Sequence, residues 1–176
     1  GDTAIVSMQY SFLPSWLSFL VDKENARQAG QALFEEVDEM VREMPEAKRP
    51  KLVVFGESLG SFGGEAPFLS LNNLIARTDG ALFSGPTFNN TIWTDLTRTR
   101  DPDSPEWLPI YDKGEYVRFA AKAETLGRPD GPWHALVTLF SGLVTRHAQA
   151  TITFPGAQAS RSPYPAIAGL IALLML

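Results

Sequence analysis

The pentapeptide Gly56-Glu57-Ser58-Leu59-Gly60 has the pattern G-x-S-x-G, which can present a serine as a nucleophile. A serine hydroxyl is a weak nucleophile, so it must lie on a sharp turn beside a base, with donors directed at the developing oxyanion. Glycine is favoured two residues before and two residues after the serine, because both positions approach neighbouring backbone closely. The motif therefore predicts Ser58 as the nucleophile and the backbone N–H of Leu59 as one oxyanion donor.

Two other glycine-rich turns fit the sequence less well. A phosphate-binding P-loop needs a Lys-Ser or Lys-Thr pair, and neither follows Gly60. A dinucleotide-binding turn needs G-x-G-x-x-G, which Gly56, Ser58 and Gly63 do not fit, and Glu57 would place a carboxylate near the pyrophosphate. A strand-to-helix turn without chemistry, or with an anion at the helix end, remains open.

An activated serine also needs an acid and a histidine, which follow it in the chain in this class of site. His147 is the histidine that follows the last predicted strand and is the candidate base, whereas His134 precedes that strand. No carboxylate follows the strand, so the candidate acids come from an earlier segment: Asp95, Asp101, Asp103 and Asp112. For each of these residues, an ordinary surface or packing role is the more frequent one.

Polar residues follow two of the predicted strands and are candidates for lining a pocket. Ser11 follows the first strand, and Asn89, Asn90 and Trp93 follow the third. The carboxyl ends of parallel strands meet at one edge, where ligands bind. Capping and packing are the commoner roles for such residues, and the same holds for an aromatic loop near the first strand that contains Tyr10, Phe12 and Trp16.

The elements before the motif alternate between strand and helix. Residues 3–10 and 51–55 are apolar, β-rich runs that we expect to be strands buried on both faces. Between them, 23–44 has the periodicity of an amphipathic helix, with Asp22 as N-cap and Pro45 at its end. Its predicted buried stripe is Leu33, Val37, Met40, Val41 and Met44, and its predicted wet side is Glu35, Glu36, Asp38, Glu39 and Arg42.

After the motif, the sequence predicts a helix that Gly63, Gly64 and Pro67 weaken, and then a strand over 80–84. Further strands are predicted over 116–120 and 135–140. Strand and helix in alternation are typical of an α/β fold with a mostly parallel sheet.

The composition is that of an ordinary globular chain, with 44% hydrophobic and 20% charged residues. The net charge of −5 gives no basic surface for nucleic acid, and the absence of cysteine excludes disulfides and thiolate metal sites. We expect neither a metal nor a cofactor. All 20 acidic residues precede residue 131, so the last part of the chain is acid-free. An apolar stretch over 166–176 is also compatible with the start of a longer membrane span.

Several stretches resemble a bacterial α/β-hydrolase catalytic-domain family whose members carry a multi-pass membrane region ahead of the hydrolase domain. They are GDTAIVSMQYSFLPSWLSFLVD (1–22), LVVFGESLGSFG (52–63), RTDGALFSGP (77–86) and RDPDSPEWLPIY (100–111), with VRFA (117–120) a weaker match. The resemblance implies a partial α/β-hydrolase-like three-layer sandwich over 1–133, followed by a divergent segment over 134–176 that forms a strand and a poorly ordered tail. It also implies that Gly1 falls in the middle of the family's hydrolase domain, so that the earlier strands and the loop that supplies the second oxyanion donor are absent here.

The combined expectation is a serine hydrolase of esterase or lipase type that acts on a small ester or lipid-like substrate through Ser58. The resemblance implies a membrane-attached parent protein, with this segment soluble on the cytoplasmic side. A non-catalytic or degenerate hydrolase module, used for binding or left as a truncated product, is the alternative. Because an incomplete sheet leaves its edges unpaired, we expect self-association of the isolated chain.

Overall fold

The computed structural model describes residues 3–13, 15–121, 135–138 and 170–175. Its strands are β1 (Thr3–Met8), β2 (Lys51–Glu57), β3 (Gly80–Ser84), β4 (Val117–Ala120), β5 (Ala135–Thr138) and β6 (Leu170–Met175). Its α-helices are α1 (Ser15–Val21), α2 (Lys23–Glu43), α3 (Leu59–Glu65), α4 (Leu71–Arg77) and α5 (Thr91–Arg98), with 3₁₀ turns at Glu46–Lys48 and Asp112–Gly114.

The described strands form one six-stranded sheet in the order β1-β6-β2-β3-β5-β4, and every pairing in it is parallel. The fold is therefore α/β with a parallel sheet, as the sequence predicts. Strand β6 lies between β1 and β2, because Ile171 is in register with Ala4 on one side and Leu52 on the other. The apolar residues 170–175 are thus a strand of the sheet, and their interpretation as the start of a membrane span is wrong.

The hydrophobic core lies between one face of the sheet and the helices that pack on it. Alternate residues of the two central strands, Leu52 and Val54 in β2 and Ala81 and Phe83 in β3, point into this core. The helices α2, α4 and α5 supply the opposing side chains, namely Leu33, Phe34, Val37, Val41, Leu74, Ile92 and Leu96. Because these strands are buried, their sequences are nearly continuous runs of apolar residues.

Helix α2 matches the predicted span, but its buried face is rotated from the predicted stripe. Met40 and Met44 are 48% and 40% exposed, whereas Val41 between them is only 7% exposed, so the two methionines lie off the buried face. Asp38, assigned to the wet side, is buried instead. It accepts hydrogen bonds from Arg42 (2.8 Å) and Arg77 (2.9 Å), and these charged partners make its burial tolerable.

Asp22 occupies the predicted N-cap position of α2, but its side chain makes no capping hydrogen bond. The carboxylate accepts a hydrogen bond from the Ser11 hydroxyl at 3.0 Å instead, which ties the loop after β1 to the start of the helix. The Asp22 backbone carbonyl accepts from the Asn25 N–H at 2.8 Å and begins the helix without the side chain.

Strand β1 is where the sequence predicts it, but the expectation of burial on both faces is wrong. Ile5 is 66% exposed, and most of the strand is exposed with it. The reason is position: among the described strands, β1 lies at the edge of the sheet, with β6 as its one neighbour.

The segment after the motif forms two short helices rather than one. Helix α3 lies against α2 so closely that a Cβ on Gly30 would be 2.0 Å from the Gly63 carbonyl oxygen. A Cβ on Gly64 would be 3.1 Å from the Phe83 ring of β3. The absence of side chains at Gly30 of α2 and Gly64 of α3 therefore lets α3 fit between α2 and the sheet.

Candidate active site

The G-x-S-x-G motif forms the predicted sharp turn between β2 and α3. Ser58 is the single residue between the two elements, with φ 53° and ψ −119°, and it is exposed. A positive φ is uncommon for a residue that has a Cβ, and it persists only where the surroundings impose it. The turn thus holds the serine at the carboxyl edge of the sheet in a strained backbone conformation.

The two glycines of the motif are explained by one close approach. A Cβ on Gly56 would be 2.3 Å from the Gly60 carbonyl oxygen and 2.7 Å from the Ser61 Cα, so no side chain fits there. Strand β2 and the first turn of α3 cross at this point, and the chain can reverse only because Gly56 has no side chain.

Hydrogen bonds fix the Ser58 backbone at both of its peptide groups. Its N–H donates to the Ser84 carbonyl at the end of β3 (2.8 Å). Its carbonyl accepts from the Ser61 N–H (2.9 Å) and from the Ser61 hydroxyl (2.6 Å). These bonds to a neighbouring strand and to the following helix over-determine the conformation of the turn.

The strand–turn–helix formed by residues 56–60 is called the elbow, and its other residues lie on either side of Ser58. Leu59 is the first residue of α3, and its side chain is 1% exposed. The N–H groups of a first helical turn have no acceptor within their own helix, and the Leu59 N–H is one of these groups. Glu57 is the last residue of β2, half-buried and in register with Ser84, and Gly60 is buried.

A buried polar cluster beneath the elbow was not predicted from sequence. The Asn90 amide nitrogen donates to the Ser61 hydroxyl (3.3 Å), and the Glu65 carboxylate hydrogen-bonds to the first turn of the helix that follows Asn90. Ser61 and Asn90 have no exposed surface, and Glu65 is 5% exposed. The one sequence signal is that Glu65 is the only carboxylate between Ser58 and Thr78, in a segment rich in apolar residues.

Glu65 caps helix α5 from a distant position in the chain. Its two carboxylate oxygens accept hydrogen bonds from the Ile92 N–H (3.0 Å) and the Trp93 N–H (3.3 Å) in the first turn of α5. Burial nevertheless raises the pKa of Glu65 to about 7, against the nearby Asn90 amide and the bonds from the Ile92 and Trp93 N–H groups, which lower it. The group therefore changes its charge near neutral pH.

The structure places none of the candidate acids in a hydrogen bond with Ser58. Asp95 forms an exposed ion pair with Arg98 at 2.9 Å. Asp101 accepts hydrogen bonds from the backbone N–H groups of Asp112 (3.0 Å) and Lys113 (2.9 Å), on the connection that leads into the amino end of β4. Asp101 and Asp112 thus organise a loop, and Asp103 is an exposed residue of the same loop.

The other predicted residues have mixed outcomes. Ser11 bonds to Asp22, and Asn90 belongs to the buried cluster rather than to a pocket wall. The Asn89 side-chain nitrogen and the Trp93 indole nitrogen are buried without a hydrogen-bond partner among the described residues. The candidate base His147, and with it His134, lies outside the described residues.

In the part of the chain that the structure describes, no three acidic, histidine or cysteine side chains are grouped closely enough to hold a metal ion. In the same part, no helix is both long enough and apolar enough to cross a membrane.

The parallel sheet with its packed helices is consistent with an α/β-hydrolase fold, and comparison with known families agrees. A model of the α/β-hydrolase family matches residues 1–160, so the chain belongs to this family. The match includes residues 134–160, and the similarity therefore continues past the stretches recognised in the sequence. No curated protein matches the chain. No solved structure matches it.

Proposed function

We propose that the protein is a serine hydrolase that transfers the acyl group of an ester or lipid-like substrate through Ser58. The observation that carries the proposal is the backbone of Ser58, which is held at φ 53° on an exposed turn between β2 and α3. A turn used only for folding would be satisfied by glycine at this position, without strain. A strained serine at the edge where ligands of parallel sheets bind supports a chemical role.

In the proposed reaction, the Ser58 hydroxyl oxygen attacks the ester carbonyl carbon while its proton passes to a base, for which His147 is the candidate. The Leu59 N–H, at the amino end of α3, would stabilise the oxyanion of the tetrahedral intermediate. The alcohol leaves with the proton from the base, and water then releases the acid from the acyl-serine. The acid that orients the base is not assigned.

A fluorophosphonate probe tests this proposal, because it reacts with activated serines and is inert toward ordinary ones. We expect labelling of the 176-residue chain that is abolished in Ser58→Ala. The matched control is Ser7→Ala, which removes an exposed serine with extended backbone in β1 and should label like the unaltered chain. Absence of labelling in a folded chain would favour the alternative, a non-catalytic hydrolase module used for binding.

His147 is tested separately with the same probe. If it is the base, His147→Ala should lower the labelling rate of Ser58 by about 100-fold or more, since a general base contributes roughly 10²–10⁴-fold. His134→Ala is the matched control and should leave the rate unchanged. Equal rates in both variants would remove His147 from the proposal while leaving Ser58 in it.

The resemblance to a membrane-attached bacterial family supports a further proposal about cellular location. We infer that the longer parent protein is held at the membrane with this domain on the cytoplasmic side. Native protein should then sediment with membranes and be digested by protease only after the cells are opened. Native protein in the soluble fraction would contradict this.

A further inference from the structure

Asn90 connects the elbow to a loop from a different part of the chain. Its amide nitrogen donates to the Ser61 hydroxyl, which in turn donates to the Ser58 carbonyl at 2.6 Å. Its amide oxygen accepts from the Thr87 N–H (2.8 Å) and the Thr87 hydroxyl (2.9 Å). One fully buried side chain therefore joins Ser58 to the loop that follows β3.

The Thr87 N–H determines which way the Asn90 amide faces. A backbone N–H only donates, so the Asn90 oxygen must face Thr87 and its nitrogen faces the Ser61 hydroxyl. With the amide reversed, its nitrogen would face the Thr87 N–H, and both buried donors would be left without an acceptor. Unpaired buried donors are costly, which keeps the observed orientation.

The cluster also lies between the two segments that adjoin the nucleophile. Ser58 follows the carboxyl end of β2, and the loop containing Thr87 follows the carboxyl end of the adjacent strand β3. At this edge of a parallel sheet, the loop after a neighbouring strand forms a wall of the ligand site. A shift of that loop would therefore change the surroundings of Ser58.

We propose that Glu65, Asn90 and Ser61 form one positioning unit, which holds the Ser58 peptide and the loop after β3 in a fixed mutual arrangement. None of the three contacts the substrate. Glu65 holds the first turn of α5 beside Asn90, Asn90 holds Thr87 and Ser61, and Ser61 holds the Ser58 carbonyl. The catalytic part of this inference rests on the proposed function, whereas the mechanical part does not.

The mechanical part is tested by amide hydrogen exchange of the full chain. Ser61→Ala removes one partner of Asn90, so the Thr87 N–H on the far side of Asn90 should exchange about 10-fold faster, as expected for the loss of one hydrogen bond. The control is Thr97→Val, which removes a buried hydroxyl of α5 that has no partner among the described residues. Unchanged exchange at Thr87 in a folded Ser61→Ala chain would overturn the proposal.

The catalytic part is tested by the kinetics of fluorophosphonate labelling, resolved into probe affinity and maximal rate. Misplacement of a nucleophile lowers the rate at saturation, so Asn90→Ala and Ser61→Ala should lower it by about 10-fold or more with little change in probe affinity. Thr97→Val should behave like the unaltered chain. Equal maximal rates in all folded variants would contradict a positioning role.

Glu65 offers a conservative variant that separates positioning from bulk packing. Glu65→Gln keeps an acceptor oxygen of the same reach, whereas Glu65→Ala keeps none. The labelling rate and the protection of the Ile92 N–H should fall in the order wild type, Gln, Ala. If the unaltered chain does not label but the exchange results hold, the proposed function fails and the positioning unit stands.

Discussion

Ser58 is exposed at its side chain and held by hydrogen bonds at both of its backbone peptide groups. The bonds to Ser84 and Ser61 keep it in a left-handed conformation that its Cβ disfavours. Strain of this kind costs about 1–3 kcal/mol, which the rest of the fold must supply. At the residue scale, the elbow thus lowers the stability of the fold while it fixes the direction of one hydroxyl.

Two variants that remove the Ser58 hydroxyl, Ser58→Gly and Ser58→Ala, measure this strain when they are compared. Ser58→Gly should be more stable than Ser58→Ala by about 1 kcal/mol, because glycine tolerates positive φ and relief of strain exceeds its entropic cost. Urea unfolding of the two variants gives the difference. Both variants lack the hydroxyl, so they differ only in how well they tolerate the backbone conformation. Equal free energies of unfolding would mean that the turn stores no strain.

Glu65 gives the fold a predictable dependence on pH. Its pKa is about 7 in the folded state against an ordinary value of 4.5, so the folded state holds the proton more tightly. Stability should therefore fall as the pH rises from 4.5 to about 7. The fall should be at most about 3 kcal/mol, at roughly 1.36 kcal/mol per pKa unit.

Glu65→Gln removes this titration and serves as the reference. The free energies of unfolding of the two chains, measured by urea at several pH values, should differ by an amount that changes across this window. A difference that stays constant with pH would show that Glu65 does not titrate there.

The residues of the elbow are predictable because their constraint is local. Gly56, Ser58 and Gly60 are close in sequence, and the geometry that selects them is a single turn. The positioning unit is not predictable in this way, since Ser61 and Asn90 meet only after β2 and β3 have paired. His147 remains a prediction.

At the scale of elements, the contact between α2 and α3 depends on glycine. A Cβ on Gly30 would be 2.0 Å from the Gly63 carbonyl oxygen, a backbone atom that cannot turn away. Helix propensity alone predicts that Gly30→Ala stabilises α2 by about 1 kcal/mol. We expect the opposite: a loss of about 2 kcal/mol or more, because the two helices must separate.

Thermal unfolding of Gly30→Ala checks this expectation. The control is Gln31→Ala, at the adjacent position of the same helix. There, helix propensity should determine the change in thermal stability. A stabilised Gly30→Ala chain would show that the helices are not in close contact.

Asp38 ties α2 to α4 across the core. Arg77 donates to it at 2.9 Å and lies over the Phe34 ring at 4.6 Å, while Arg42 donates from the same helix. Burial raises the pKa of Asp38, but the bonds from the two arginines outweigh it and leave the pKa below the usual value of 3.8. The carboxylate form is therefore the one that stabilises the fold.

Asp38→Asn should lower the free energy of unfolding by about 2 kcal/mol near neutral pH, since hydrogen bonds to charged groups contribute roughly 1.5–3 kcal/mol. The loss should shrink as the pH falls below 3.8, where the wild-type carboxylate becomes protonated. Glu39→Gln, an exposed acid of the same helix, should change stability little. Equal effects of the two substitutions would contradict the tie between α2 and α4.

The order and extent of the elements could be predicted from the sequence more accurately than the burial of their residues. Strand β3 and helix α2 lie where periodicity places them, because that signal is local. The exposure of Ile5 and the burial of Asp38 depend on which neighbours arrive from elsewhere, Arg77 in the case of Asp38. Periodicity identifies an apolar face without saying how much of it is covered.

For the molecule as a whole, the edges of the sheet support the proposal of self-association. In the sheet of described strands, β1 and β4 each have one neighbour, and β1 also exposes Ile5. We expect dimers or larger species of the 176-residue chain in light scattering, increasing with concentration. Ile5→Lys should reduce them, since a charge on an edge strand opposes pairing. Met40→Lys, on an exposed part of α2, is the control, and a monodisperse unaltered chain would contradict the proposal.

The position of β6 between β1 and β2 has a consequence for the order in which the protein folds. The elbow strand gains its partner on that side from residues 170–175, which a ribosome releases long after β2. Contacts of such high sequence separation are closed late and slow the rate of folding. During synthesis, the serine turn should therefore exist first with β2 supported on the β3 side alone. The serine turn would reach its final rigidity only once β6 has inserted between β1 and β2.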